Sequence, residues 1–116
     1  MTTLPVYARS NGNATGISAT AEIEMTVPPR GIIKRVRVSE TSGTGANVTV
    51  QVLEAAGGKG PSLAIAYAAA ASVDNEESVF YEVPETSPGV GSLFIKVTPA
   101  SGTNTYITRL DIEKVA

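Results

Sequence analysis

Short runs of alternating apolar and polar residues, each closed by Gly, Pro, Ser, Thr or Asn, recur along nearly the whole chain. A pleated strand turns successive side chains to opposite faces, so each run predicts a strand with one buried face. In the clearest, Ala21, Ile23, Met25 and Val27 face one way and Glu22, Glu24 and Thr26 the other, and Pro28-Pro29-Arg30-Gly31 ends the strand. The same rhythm places Val48, Val50 and Val52 opposite Thr49 and Gln51, and Leu63, Ile65 and Tyr67 opposite Ala64, Ala66 and Ala68. Val79, Tyr81 and Val83 alternate with Phe80 and Glu82, and Leu93, Ile95 and Val97 with Phe94, Lys96 and Thr98. Tyr106, Thr108, Leu110 and Ile112 form the last inward set.

Three stretches are less regular. From Ile32 to Glu40, Ile32, Val36 and Val38 share one face and Ile33, Arg35, Arg37 and Ser39 the other; Lys34 breaks the inner set, which predicts a bulge or strand end near Ile33. A loop of small residues, Thr41 to Ala46, joins this strand to the Val48 strand and predicts a hairpin. Leu4 to Arg9 predicts a first edge strand, with Pro5 where a missing N–H is tolerated. Ser10 to Gly16 then reads as a flexible link, so residues 1–18 are expected to be an arm or edge strand plus a tether. Ala68 to Glu77 opens on four alanines and is expected to be a loop with one helical turn.

About eight short strands in 116 residues predict one all-β domain spanning 1–116, a single antiparallel β-sandwich of jelly-roll type. An immunoglobulin-like sandwich is the alternative, weakened by the absence of any Cys pair or Trp.

Composition narrows the chemistry. With no His and no Cys, the residues that most often carry acid–base, metal and redox chemistry are missing. An enzyme is not expected, and no catalytic, cofactor or metal residue is nominated. The net charge of -2 gives no general attraction to phosphate, and no stretch approaches the length of a membrane helix, so neither nucleic acid nor membrane is an expected partner. Asp74-Asn75-Glu76-Glu77 does not have the alternating ligand spacing of a calcium loop and is expected to be a solvated acidic loop. In Gly57-Gly58-Lys59-Gly60-Pro61-Ser62, Pro61 removes a backbone donor that a phosphate loop needs.

What remains is surface. Arg35 and Arg37 share a strand face and suit either an acidic partner or cross-strand pairing with Glu22 and Glu24. Tyr7, Phe80 and Phe94 fall in outward registers, where aromatic rings serve subunit contacts or a glycan platform. Leu4, Val6 and Tyr7 lie on the terminal strand that is expected either to pair within its own sheet or to add to a neighbour's edge.

The C-terminal half carries a further pattern. Val79-Phe80-Tyr81-Glu82-Val83-Pro84 leads through an acidic loop into Gly91-Ser92-Leu93-Phe94-Ile95-Lys96-Val97-Thr98-Pro99, and the chain returns as Thr105-Tyr106-Ile107-Thr108-Arg109-Leu110. With the upstream Ile32 to Val38 and Ala46 to Glu54 segments, this cadence resembles the small jelly-roll capsid decoration, or cement, proteins of tailed bacteriophages over residues 30–113. The resemblance implies a virion protein on the capsid surface, soluble before assembly. Its implied partners are the major capsid protein or other virion subunits, and it implies a homo-oligomer, a trimer in that family. A phage tail or fibre domain, or a glycan-binding module, is the alternative function.

Overall fold

A computed structural model describes residues 7–54 and 62–115. The described chain forms β1 (Tyr7–Ile17), β2 (Ala21–Val27), β3 (Arg30–Ser42), β4 (Asn47–Leu53), β5 (Ser62–Ala70), β6 (Val73–Glu82), β7 (Gly91–Pro99) and β8 (Asn104–Lys114). One sheet has the order β1-β8-β3-β6 and the other β2-β7-β4-β5, with every pairing antiparallel. The pairs 1 with 8, 2 with 7, 3 with 6 and 4 with 5 nest inside one another, as in a long hairpin rolled so that successive pairs fall in alternate sheets. This is the jelly-roll topology. Only β4 and β5 are both consecutive and paired, so the immunoglobulin-like alternative is set aside.

The core is the set of inward positions that the alternation marks. Met25, Val36, Val38, Val48, Val50, Val52, Leu93, Ile95, Val97, Tyr106, Leu110 and Ile112 are fully buried between the sheets. Each alternate residue faces out, and the burial pattern of β7 switches at every position from Gly91 to Pro99.

Four local expectations are corrected. β3 and β4 do not form a hairpin, because they lie in different sheets and the loop between them crosses the sandwich. Alternation tells which face of a strand is buried and not which strand lies beside it. The break near Ile33 is real: both ladders of β3 shift register between Ile33 and Arg35. Its effect is to bury Ile33 and leave Ile32 on the outer side, the reverse of the expected assignment.

Ser10 to Gly16 is strand, not tether. β1 pairs with β8 from Tyr7↔Glu113 to Ala14↔Tyr106, and a bulge at its end, with Gly16 at φ +60°, lets Ile17 meet Asn104. The small residues mark close packing rather than turning. Ser10 and Ala14 are buried, and a Cβ on Gly12 would stand 2.5 Å from Ile23 Cγ2. β1 is an edge strand of its sheet; the stretch Leu4 to Val6 lies outside the described residues.

The alanine run is likewise strand. Asn47↔Ala70, Val48↔Ala69 and Thr49↔Ala68 pair in register, Ala71 turns the chain at φ +63°, and β6 starts two residues later. Pairing with β4 outweighs the helical preference of alanine, a matter of tenths of a kcal/mol per residue.

Two hydrogen-bonded anchors hold the ends of the sandwich. At one, the buried Tyr81 hydroxyl donates to Pro28 O at 2.7 Å, tying β6 to the β2–β3 turn. At the other, the buried Asn104 side chain accepts from Thr44 N (2.8 Å) and Thr44 Oγ1 (3.2 Å) and donates to Ser101 O (3.0 Å). It joins the β3–β4 and β7–β8 crossings. Asn104→Ala removes these three hydrogen bonds and is therefore expected to cost about 1–3 kcal/mol in urea unfolding, the usual net worth of that many bonds to a buried side chain. By contrast, Tyr106 is fully buried and its hydroxyl has no partner among the described residues. Tyr106→Phe is expected to raise stability by up to about 1 kcal/mol by removing that unpaired group; a loss of similar size would mean that the hydroxyl is satisfied.

Candidate interaction surfaces

The two outer faces of the sandwich differ in charge. On the β1-β8-β3-β6 sheet the register lines up opposite charges in rows. Asp111, Arg35 and Glu76 lie across β8, β3 and β6 with alternating sign; in the next row Arg109 and Arg37 are like charges, and Asp74 supplies the opposite one. Asp74 is held from two sides: Arg35 Nε donates to Oδ1 at 2.6 Å and Arg35 Nη2 to Oδ2 at 2.9 Å, while Arg37 Nη2 donates to Oδ2 at 3.1 Å. The Arg35 hydrogen bond and the two guanidinium charges lower the Asp74 pKa to about 2, against a smaller opposing effect of desolvation. Asp74 in turn raises the Arg35 pKa.

Arg35 and Arg37 are thus brought together, but their charge is taken up by Asp74. The expected pairing with Glu22 and Glu24 does not form, because β2 lies in the other sheet. The expected acidic loop is strand β6, with Glu77 accepting a hydrogen bond from Tyr67. The signal was present in the sequence: Asp74 and Glu76 alternate with the same period as Arg35 and Arg37, as two facing strands require.

Phe80 is half exposed on this same face, opposite Ile32, with the Arg30 guanidinium 5.8 Å from its ring centre and Arg30 Nε 2.9 Å from Glu82 Oε2. Ile107 is the other large apolar side chain exposed there among the described residues. Tyr7 opens β1 opposite Glu113. Leu4 and Val6 lie outside the described residues.

The outer face of the β2-β7-β4-β5 sheet is charged only toward β2. Glu22 lies opposite Lys96, and Glu24 opposite Phe94 while accepting from Ser92 Oγ at 3.1 Å. Toward β5 the residues are small and uncharged. Thr20 and Thr98 hydroxyls are hydrogen-bonded at 2.9 Å, Thr49 Oγ1 donates to Thr98 O at 3.4 Å, and Ala68 and Ala70 lie exposed beside them. Two open depressions of about 340 and 350 Å³ occupy this region; Val48, Ala69, Pro99 and Ala100 help line the first, and Gln51, Tyr67, Lys96 and Thr98 the second. Of this face the sequence pattern singled out Phe94 alone as a candidate contact residue. Phe80 and Phe94 stand on opposite sides of the sandwich. Among the described residues no three His, Cys, Asp or Glu side chains gather as a metal site would require.

No family model matches the chain, and no curated protein matches it. Among solved structures, the chain is similar to a carbohydrate-binding module of Cellvibrio mixtus lichenase 5A in complex with cellotriose, with a TM-score of 0.46 and 16% identity over 90% of this chain and 78% of that one. It is also similar to the cowpea mosaic virus top component, naturally occurring empty particles, with a TM-score of 0.46 and 10% identity over 94% and 87%. Broad bean stain virus gives a TM-score of 0.45 and 9% identity over 94% and 87%. The jelly-roll assignment rests on the strand order of this chain itself.

The Asp74 clamp has a pH signature. A carboxylate with a lowered pKa stabilises the fold fully above its unfolded value of 3.8, and that contribution disappears as pH falls toward about 2. Asp74 and both arginines are partly exposed, so the pairs are worth about 0.2–1 kcal/mol each and weaken in salt. Asp74→Asn is expected to lower stability by up to about 1 kcal/mol at pH 7 and low salt. The difference from the unaltered chain should shrink between pH 4 and 2, as followed by urea titration at each pH.

Proposed function

We propose that this chain is a structural virion protein, a capsid decoration subunit that binds the assembled head of a tailed bacteriophage and stabilises it. The observation that carries this reading is the division of charge between the two outer faces. One face satisfies Arg35 and Arg37 internally through Asp74, and the other presents Thr49, Thr98, Ala68 and Ala70 with no charge among them. An uncharged patch costs little desolvation when it is covered by another protein. The nested strand pairing supplies a rigid block on which to display it.

The mechanism is linkage. A subunit that binds the finished lattice and not its unassembled parts shifts the equilibrium toward the lattice, and many copies multiply a small contact energy. The partner in this reading is the major capsid protein, the site is the capsid surface, and no small molecule is transformed. A glycan-binding module would gather its aromatic side chains in one groove. Phe80 and Phe94 are separated by the thickness of the sandwich, which favours the virion reading.

Heads purified from the phage that encodes this chain are expected to contain it in fixed stoichiometry. Heads made without it should release DNA at lower temperature, and added purified protein should restore the loss. Absence of the chain from purified particles, or specific capture by a glycan array, would overturn the reading.

A further inference from the structure

We propose that β5 is the self-association edge of this protein, pairing antiparallel with β5 of a second copy across a two-fold axis. Four strands end their sheets: β1 and β6 in one, β2 and β5 in the other. An end strand offers a row of unpaired N–H and C=O groups, and proteins guard such rows with charge, proline or cover. β6 carries Asp74, Glu76, Glu77 and Glu82, β2 carries Glu22 and Glu24, and β1 carries Arg9. Ser62–Ala70 has no charged residue and no proline.

The backbone shows which groups are free. Ala71 N donates to Ala46 O at 3.1 Å, which makes that pair a hydrogen-bonded one. Hydrogen-bonded and open pairs alternate along an antiparallel ladder, so Val48↔Ala69 and Val50↔Tyr67 are bonded pairs and Thr49↔Ala68 and Gln51↔Ala66 are open ones. The other side of β4 agrees, because Ala100 N donates to Asn47 O at 2.7 Å and so directs Thr49 and Gln51 to β7. Ala66 and Ala68 therefore turn their N–H and C=O groups away from β4, and no described strand receives them.

A second copy of this strand fits the charge requirement. An isologous contact sets a strand against a second copy of itself, so β6 or β2 used in this way would bring carboxylate-bearing strands together, whereas β5 brings an uncharged, alanine-rich strand against its like. With the axis at Tyr67, Ala66 of each copy pairs with Ala68 of the other and the two four-stranded sheets become one of eight. The exposed Ala68 side chain adds no bulk at the join. This inference stands apart from the virion reading, since it concerns the chain alone.

Analytical ultracentrifugation over a concentration series tests it. The unaltered chain is expected to show a mass of two chains that dissociates to one on dilution. Ala68→Pro removes an N–H that β4 does not use, so the fold should survive by circular dichroism and urea unfolding while dimer dissociation strengthens about 30-fold, from two symmetry-related hydrogen bonds. Ala68→Lys should weaken the dimer at low salt and recover part of it at high salt, a response that a folding defect would not show. A monomer up to millimolar concentration, a mass of three chains, or a dimer that both variants leave intact would overturn the proposal. Failure of the unaltered dimer to bind purified heads would count against the virion reading alone.

Discussion

The structure depends on β7 and β8, the last two described strands, which are inner strands of the two sheets. β8 lies between β1 and β3, and β7 between β2 and β4, so neither apolar face is continuous until these two strands are in place. Burial of Leu93, Ile95, Val97, Leu110 and Ile112 thus couples the two ends of the chain. Such pairings close long loops before they gain burial, which places this fold among the slow-folding topologies.

That dependence explains where polar anchoring is needed. Every connection but the one from β4 to β5 changes sheet, and a crossing has no ladder of its own to hold it. Asn104 serves two crossings at once by bonding Thr44 and Ser101. Gly43, at φ +149°, takes a conformation that L side chains rarely adopt, and a Cβ there would stand 2.1 Å from Asn104 Oδ1. The asparagine and the glycine are therefore one packing unit. Tyr81 does the equivalent work at the far end through Pro28.

Charge is distributed by the same topology. Bringing β6 beside β3 sets Asp74 between Arg35 and Arg37 and removes a basic patch that the linear sequence presents as free. Placing β2 in the other sheet sends Glu22 and Glu24 to Lys96 and Phe94 instead. What is left without charge is the β4–β5 side of the second sheet, including a strand edge. The surfaces with the fewest ionic obligations are those best suited to contact with protein.

Much of the inward set could be read residue by residue, because period-two burial is a local property: Val48, Val50, Val52, Leu93, Ile95, Val97, Tyr106, Leu110 and Ile112 follow from it. The break at Lys34 could be read for the same reason. The small residues could not. Ser10, Gly12 and Ala14 look like a turn-rich tether until Ile23 and Met25 are seen packed beneath Gly12, and the four alanines look helical until β4 is seen beside them. By itself the sequence determined that this chain forms a sandwich of alternating strands, since backbone geometry and burial act over a few residues. Only the tertiary structure decided which strands are neighbours, which charges cancel and which edge stays open, because those depend on pairings between residues tens of positions apart.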